Sequence, residues 1–344
     1  MTFAAGKAWL LALSLGVLAA FADDRPARAE ADFSGMTVTL LVGFGGGGGY
    51  DALGRLAADH LGRFLPGNPS VVVQNMPGGG GRRALVYMAK VAPSDGSVIT
   101  IPPSNFAVNA LTDSDAMDVD PTAFGMIGRL AEGRQLRLTW ETSPTKTFAD
   151  ARARETVMAS EGPTSNTSIV LRVLNAYFGT RFRLIEGYSG TAEMALAMER
   201  GEVEGTLVSP EVAAGHPDWF AEGKVNVLWQ EATDRSPAFP DVPAIVEFAT
   251  TDAERTLLNL VVSQGQIGKS LAAPPGVPDD VLAAFRDGYE AMIRDPAFLA
   301  DAEKRRLAIL PASADELDAI VATTIASDPE AVRQLVEVIR VSSE

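Results

Sequence analysis

The sequence predicts an α/β protein in which doubly wound sheets are flanked by helices. Short apolar runs alternate with amphipathic segments over most of the chain, and short connections join them. A glycine-rich loop links the first apolar run to the first amphipathic segment. The 344 residues, of which 47% are hydrophobic and 21% charged, are sufficient for two lobes around two cores.

The first strand, loop and helix form the unit around which we expect the protein to be organised. Val38–Val42 is a short, mainly apolar run, which is typical of a buried parallel strand. Five consecutive glycines follow, at Gly45–Gly49. The helix after them has an apolar face at Leu53, Leu56, Ala57, Leu61 and Phe64. Backbone N–H groups and the positive end of a helix dipole meet at such a loop, so the unit predicts an anion site built from main chain.

The remaining elements continue the alternation. In the first half we predict strands at 70–75 and 97–101, a helix at 82–91, and a further helix opened by 102–105. An acidic linker-like segment at 112–121 precedes strands at about 123–127 and 135–140. In the second half we predict strands at 156–160, 183–186, 203–208 and 225–229, with helices after the loops 161–166 and 187–191. From 274 onward we predict helices at 279–293, 296–306, 314–326 and 329–341.

The N-terminus and the composition indicate an exported protein. Residues 1–29 match a signal peptide, with Lys7 before the apolar run Trp9–Ala20 and a cleavage pattern at Ala27–Ala29, or alternatively at Ala22. No later run approaches about 18 apolar residues, so we expect no stable membrane insertion. The absence of cysteine excludes disulfides and thiol chemistry. The net charge of −15 argues against a nucleic acid partner.

Nucleotide-binding signatures are incomplete. Gly43, Gly45 and Gly48 match the dinucleotide pattern G-x-G-x-x-G, but five glycines in a row satisfy many patterns. The second strand ends in Gln74–Asn75 instead of the acidic residue that holds a ribose. No Lys-Ser/Thr pair completes a phosphate-binding loop. We therefore predict no cofactor.

Hydrolase and metal signatures are incomplete as well. The segment Gly187–Thr191 lacks the last glycine of the nucleophile elbow G-x-S-x-G. The two histidines, His60 and His216, lie in a predicted helix and in a turn. Neither position suggests a general base beside a serine nucleophile, or a ligand in a metal site. We therefore predict no catalytic residues and no metal.

Five loops lead from a strand to a helix with small or hydroxyl residues at the helix start. They lie at 45–51, 78–81, 104–105, 164–168 and 189–191. In an open α/β sheet such loops line the crevice at the carboxyl ends of the strands, and loops from two lobes can face one cleft. Asp51 is expected to cap its own helix, since a carboxylate would repel an anion that it touched. The loops predict a binding protein that closes on a carboxylate.

The order of short motifs resembles the solute-binding proteins of tripartite tricarboxylate transporters, often called Bug receptors. The resemblance extends from about Met36 to about Pro311. Six motifs carry it in the order of that family: Gly47–Asp51, Asn75–Gly81, Pro93–Gly96, Tyr188–Gly190, Arg235–Pro243 and Ala273–Pro278. It implies a two-lobed type II periplasmic-binding fold, with the ligand cleft between the lobes. Lobe 1 would comprise 30–135 and 236–344 with the C-terminal helices, and lobe 2 would comprise 136–235.

The resemblance also implies which residues bind the ligand. These are Gly48, Gly49, Tyr50, Asp51, Ser104 and Asn105 from lobe 1, and Ser165, Asn166, Thr167, Tyr188, Ser189, Gly190 and Ser209 from lobe 2. Tyr50 stands where the family commonly has Thr or Ser, and this narrows the pocket or offers a ring for stacking. The run Thr164–Thr167 replaces a Gly-Ser-x-Ser-His run of the family.

The function that the resemblance implies is capture and delivery. A monomeric periplasmic receptor would bind a small organic anion, most simply a carboxylate, without a cofactor, and would present it to the membrane subunits of a transporter. Two other classes remain open from the sequence. One is a receptor of the same fold that signals to a membrane sensor kinase, and the other is a nucleotide-dependent α/β enzyme.

Overall fold

The computed structural model describes residues 31–112 and 118–341, which form two β-sheets flanked by helices. The predicted signal peptide and residues 113–117 of the acidic linker lie outside the described residues. We call the first sheet with the helices packed on it the first lobe, and the second sheet with its helices the second lobe. Two sheets with helices around them confirm the predicted fold class.

The first sheet has six strands. They are β1 (Thr37–Val42), β2 (Ser70–Asn75), β3 (Val98–Ile101), β4 (Gly125–Ala131), β10 (Lys269–Ala273) and β11 (Ala312–Ser313). Their spatial order is β11-β4-β10-β3-β1-β2. Strand β1 pairs in parallel with β2 and β3, whereas β10 is antiparallel to β3 and β4. The carboxyl ends of β1, β2 and β3 therefore meet at one edge of the sheet.

The second sheet has five strands. They are β5 (Gln135–Trp140), β6 (Thr156–Ser160), β7 (Phe182–Glu186), β8 (Gly205–Val208) and β9 (Val225–Glu231). Their order is β7-β6-β8-β5-β9, with β6 parallel to β7 and β8, and β5 antiparallel to β8 and β9. The chain crosses from the first sheet to the second between β4 and β5 and returns between β9 and β10. The two crossings touch, since the Gly133 N–H donates to the Gly265 carbonyl at 2.8 Å.

The described helices surround both sheets. They are α1 (Gly49–Leu61), α2 (Arg82–Lys90), α3 (Phe106–Thr112), α4 (Phe148–Ala153), α5 (Asn166–Phe178), α6 (Thr191–Glu199), α7 (Pro210–Gly215), α8 (Pro217–Ala221), α9 (Asp252–Ser263), α10 (Asp279–Met292), α11 (Pro296–Lys304), α12 (Ala314–Ile325) and α13 (Pro329–Val341). Within the described ranges, none is both long and apolar enough to cross a membrane. Hydroxyl side chains start several of them, as at Thr147, Thr251 and Ser313, each of which forms a capping box.

Alternation of side chains along β1 builds the first lobe on two faces. Leu40 packs in one core with Leu56 and Phe285, while the next residue, Leu41, packs in another core with Leu85. Successive strand residues point to opposite faces, so a strand that is apolar at every position is covered by helices on both sides. This double covering explains why Val38, Leu40, Leu41 and Val42 are all apolar and buried, whereas Thr39 is only half-buried.

The last part of the chain divides between the two lobes. Helices α10, α11 and α12 contact the first lobe, but α9 and α13 pack against α5 of the second lobe, where Leu335 joins the core around Trp229. Helix α13 also contacts α3 of the first lobe, so residues 236–344 supply helices to both lobes and the lobe boundaries stay a prediction. An amphipathic pattern reports that a helix has an apolar face and not which sheet covers it. Strand β10, which the sequence analysis did not predict, inserts between β3 and β4.

Candidate functional site

The strand-to-helix loops of the two lobes face each other and enclose one cavity. Its volume, measured as the space that the centre of a water molecule can reach, is about 40 Å³. A site for one water needs about 10–15 Å³ by this measure, so the cavity holds several waters or a compact ligand. Nine of the residues implied by the resemblance line it: Gly48, Gly49, Tyr50, Ser104, Asn105, Ser165, Asn166, Thr167 and Gly190.

Four of the implied residues support this wall instead of lining it. They are Asp51, Tyr188, Ser189 and Ser209. The carbonyl of Ser189 accepts a hydrogen bond from the Gly45 N–H at 2.8 Å, which joins the first lobe to the second. The hydroxyl of Ser209 caps α7 by accepting from the Val212 N–H at 3.4 Å. Asp51, Ser189 and Ser209 therefore hold their loops in place through hydrogen bonds within the protein.

Glycine is required in the first loop because the second lobe approaches its backbone. A Cβ at Gly45 would lie 2.7 Å from the Ser189 hydroxyl oxygen. A Cβ at Gly49 would lie 2.5 Å from both the Ser209 hydroxyl and the Glu211 carboxylate. Real Cβ contacts of this length do not occur, so the glycine run allows the two lobes to close.

Asp51 braces the glycine loop from behind. Its buried carboxylate accepts hydrogen bonds from the Gly47 N–H at 2.9 Å, from Asn75 at 3.0 Å and from Arg55 at 2.9 Å. Burial by itself would raise the pKa of Asp51, but these donors together hold its pKa below the ordinary value. The loop and α1 are therefore tied to β2 by an ionised carboxylate that faces away from the cavity.

Tyr50 fills one side of the cavity. Its ring lies against Phe44, with the ring centroids 4.4 Å apart. Its hydroxyl accepts a hydrogen bond from the Ser104 N–H at 2.9 Å. The tyrosine thus occupies a backbone donor that a smaller residue at this position would leave free for a ligand.

The second loop and α3 also contact the second lobe directly. The Asn105 side-chain amide donates to the Thr164 carbonyl at 2.8 Å. Gly80 has a φ of +64°, and a Cβ placed there would lie 2.7 Å from the Cβ of Ser165. Together with the Gly45–Ser189 bond, these contacts make the described arrangement a closed one.

A chain of buried hydroxyls lies beneath the cavity in the second lobe. Ser160 is within 2.5 Å of the Ser168 hydroxyl and 3.0 Å of the Ser165 hydroxyl, and Ser165 is 2.7 Å from the Thr167 hydroxyl. The Thr167 hydroxyl donates to Glu161, a residue that lines the cavity. Ser165 also caps α5, accepting from the Ser168 N–H. The start of α5 is therefore held by its own cap and by this network.

Two ion pairs are buried next to the cavity. In the second lobe, Arg137 donates to the Glu231 carboxylate at 2.5 and 3.1 Å, and the Asn166 amide donates to the same carboxylate at 3.2 Å. Between the lobes, the Lys269 ammonium lies 3.0 Å from the Glu211 carboxylate. Burial of charge is tolerated here because each charge has a partner.

Sequence reasoning missed part of the lining and all four members of these ion pairs. The missed lining residues are Phe44, Pro103, Gln135, Glu161 and Leu207, whereas Gly45, Gly80 and Thr191 lie in loops that the sequence analysis expected to line the cleft. A usable signal existed for Glu161, which follows β6 directly and lies in a loop that the analysis had singled out. No comparable signal marked Lys269 or Glu211, because they lie far apart in the sequence. In the ranges that the structure describes, no group of His, Asp and Glu side chains forms a metal site.

Comparison with known proteins agrees with this architecture. The model of the tripartite tricarboxylate transporter family receptor matches residues 53–335. A curated UPF0065 protein from the TAR-I ttuE-ttuC' intergenic region of Agrobacterium vitis is 21% identical over 276 residues, which cover 78% of this chain and 75% of that protein.

Solved structures of similar fold include one periplasmic binding protein and two proteins with bound organic acids. The periplasmic binding protein BugD has a TM-score of 0.70 at 20% identity, over 88% of this chain and 98% of its own. Rpa4515 of R. palustris with adipate has a TM-score of 0.69 at 21% identity, over 88% of this chain and 98% of its own. MatC from Rhodopseudomonas palustris with bound malate has a TM-score of 0.67 at 21% identity, over 87% of this chain and 99% of its own. Because the family model spans most of the chain, this protein belongs to the tripartite tricarboxylate transporter receptor family.

Proposed function

We propose that the protein is a periplasmic receptor that captures a small organic acid between its lobes and presents it to the membrane subunits of a transporter. The observation that carries this proposal is that helix-start loops of both lobes converge on one enclosed cavity. A ligand that contacts both walls favours the closed arrangement over an open one by the free energy of those extra contacts.

The size of the cavity and the ligands of two proteins of similar fold support a compact organic acid as ligand. About 40 Å³ is little space, and two proteins of the same fold are described with the dicarboxylates adipate and malate. We propose that the nine lining residues contact the ligand and that Asp51, Tyr188, Ser189 and Ser209 do not. The receptor is proposed to act as a monomer, to be exported by its signal peptide, and to perform no reaction on what it binds.

Closure is proposed to occur about the two crossings between the lobes. Those crossings are joined by the Gly133–Gly265 hydrogen bond, and they are the segments where the chain passes from one sheet to the other. Rotation there separates the loops without disturbing either core, which is the usual hinge motion of binding proteins.

A thermal-shift screen tests the proposal. The purified protein is melted with mono-, di- and tricarboxylates and with aromatic acids, each at a series of concentrations. A ligand at about 100 times its Kd stabilises the folded state by about 2.7 kcal/mol, so its melting temperature rises with ligand concentration. If no organic acid raises the melting temperature at millimolar concentration, the proposed function is wrong.

A further inference from the structure

Charges around the cavity pair off with one exception. Arg137 pairs with Glu231, Lys269 with Glu211, and Arg55 with Asp51. Glu161 also lines the cavity, but among the residues that the structure describes it has no ion-pair partner. Glu161 is half-buried, and a carboxylate that is partly withdrawn from water without a cation is costly to keep ionised.

The contacts of Glu161 compensate only part of this cost. Its carboxylate accepts a hydrogen bond from the Thr167 hydroxyl. Burial raises the pKa of Glu161 above its ordinary value. Hydrogen bonds from the Thr167 hydroxyl, its own backbone N–H and the Ser165 hydroxyl, together with the charge of Arg137, offset the effect incompletely. Because Glu161 lines the cavity, a donor group of a ligand can supply part of the compensation that the protein does not.

Two more acceptors of the second lobe lie on the same wall. The side-chain oxygens of Gln135 and Asn166 are buried and have no hydrogen-bond partner among the described residues, and both residues line the cavity. For Asn166 the orientation of the amide is set by its NH2 group, which donates to Glu231. Buried polar atoms without partners are rare, and at a cavity wall they indicate groups that a ligand satisfies.

We propose that Glu161 is a specificity-determining residue that selects an organic acid carrying a protonated amine. This inference rests on the proposed function and narrows its ligand class to compact amino acids. A primary ammonium offers three N–H donors and one positive charge, which match one carboxylate and two amide oxygens. A ligand with only carboxylate oxygens would place acceptors against acceptors on this wall and would leave Glu161 without a counter-charge.

Three four-carbon acids isolate the role of the amine. Succinate, L-malate and L-aspartate share two carboxylates and differ in carrying hydrogen, hydroxyl or ammonium on one carbon. Their Kd values are measured by titration calorimetry at pH 7, and glutarate and L-glutamate form a second matched pair for a longer chain. A charge-assisted hydrogen bond predicts at least about tenfold tighter binding of the amino acid than of its amine-free counterpart in one of the two series.

Variants of Glu161 test whether this residue causes the preference. Glu161→Gln removes the charge at nearly constant volume and is expected to reduce the preference to less than about threefold. Glu161→Asp keeps the charge and is expected to retain the preference. Glu202→Gln removes an exposed carboxylate of the same lobe and serves as the control, with binding unchanged. Melting curves establish that each variant is folded.

The outcomes separate this inference from the proposed function. If succinate and glutarate both bind the parent protein as tightly as their amino counterparts, the inference is wrong and the organic acid receptor stands. The same holds if Glu161→Gln is folded and keeps the full preference. If neither series binds and no other organic acid stabilises the protein, both proposals fall.

Discussion

The ammonium of Lys269 lies 3.0 Å from the carboxylate of Glu211, and both side chains are almost completely buried. Lys269 belongs to β10 of the first lobe and Glu211 to α7 of the second, so this ion pair joins the lobes in the closed arrangement. Gly49 lies against it, and the Tyr50 ring centroid is 5.8 Å from the ammonium. The pair therefore lies directly behind the wall of the cavity.

Removing one member of this pair is expected to open the cleft. In Lys269→Met the Glu211 carboxylate loses its partner, at a cost of about 3–5 kcal/mol in the closed form, and opening returns the charge to water. Small-angle X-ray scattering should show a larger radius of gyration for the variant. The double variant Lys269→Met/Glu211→Leu carries no buried charge and should return to the parent value. A single variant as compact as the parent would contradict this role.

Gly49→Val is expected to abolish ligand binding while each lobe remains folded. Its Cβ would lie 2.5 Å from the Ser209 hydroxyl and the Glu211 carboxylate, so the second lobe cannot approach. Gly46→Ala is the matched control in the same loop, because its Cβ would meet only Asp51, at 3.8 Å. The measurement is the ligand-induced rise in melting temperature. Equal responses of Gly49→Val and the parent would place the ligand elsewhere.

Tyr50→Ser is expected to shift the ligand preference towards longer acids. The substitution removes the ring that packs on Phe44 and releases the Ser104 N–H, which Tyr50 now occupies at 2.9 Å. The ratio of the Kd for succinate to that for adipate should rise by about tenfold, as one additional hydrogen bond implies. Tyr50→Phe also frees the Ser104 N–H but keeps the ring, which leaves no added space for a longer acid to reach that donor, so its ratio should match that of the parent. A ratio that rises equally in both variants would exclude an effect of pocket size.

Asp51→Asn is expected to lower the free energy of unfolding by about 1–3 kcal/mol at pH 7, since the charge-assisted bonds from Arg55 and Gly47 are weakened. The pKa of Asp51 is lowered on folding from an ordinary value of 3.8. Its contribution is therefore complete above that value and is lost as the pH falls through the lower folded pKa. Urea denaturation at pH 7, 5 and 3 should show the parent and the variant converging at acid pH. A difference that widens on acidification would contradict the assignment.

Much of the neighbourhood of the site was predictable because its signals are local. The apolar run before the glycine loop, the start of α1 and the cap at Ser165 each depend on residues a few positions apart. The short strand Lys269–Ala273 was missed, because it is only five residues long and contains Lys and Ser. Its place at the centre of the first sheet depends on pairing with β3 and β4, which lie more than a hundred residues earlier.

The sequence by itself determined the order of strands, glycine loops and helices, and with it the family and the presence of a cleft. These properties follow from side-chain periodicity and backbone freedom, which act over neighbouring residues. Only the tertiary structure decided that Lys269 pairs with Glu211, that Arg137 pairs with Glu231, and that Glu161 forms no ion pair with any of the residues that the structure describes. Which charges share one low-dielectric space depends on how distant segments pack, and no local pattern encodes that.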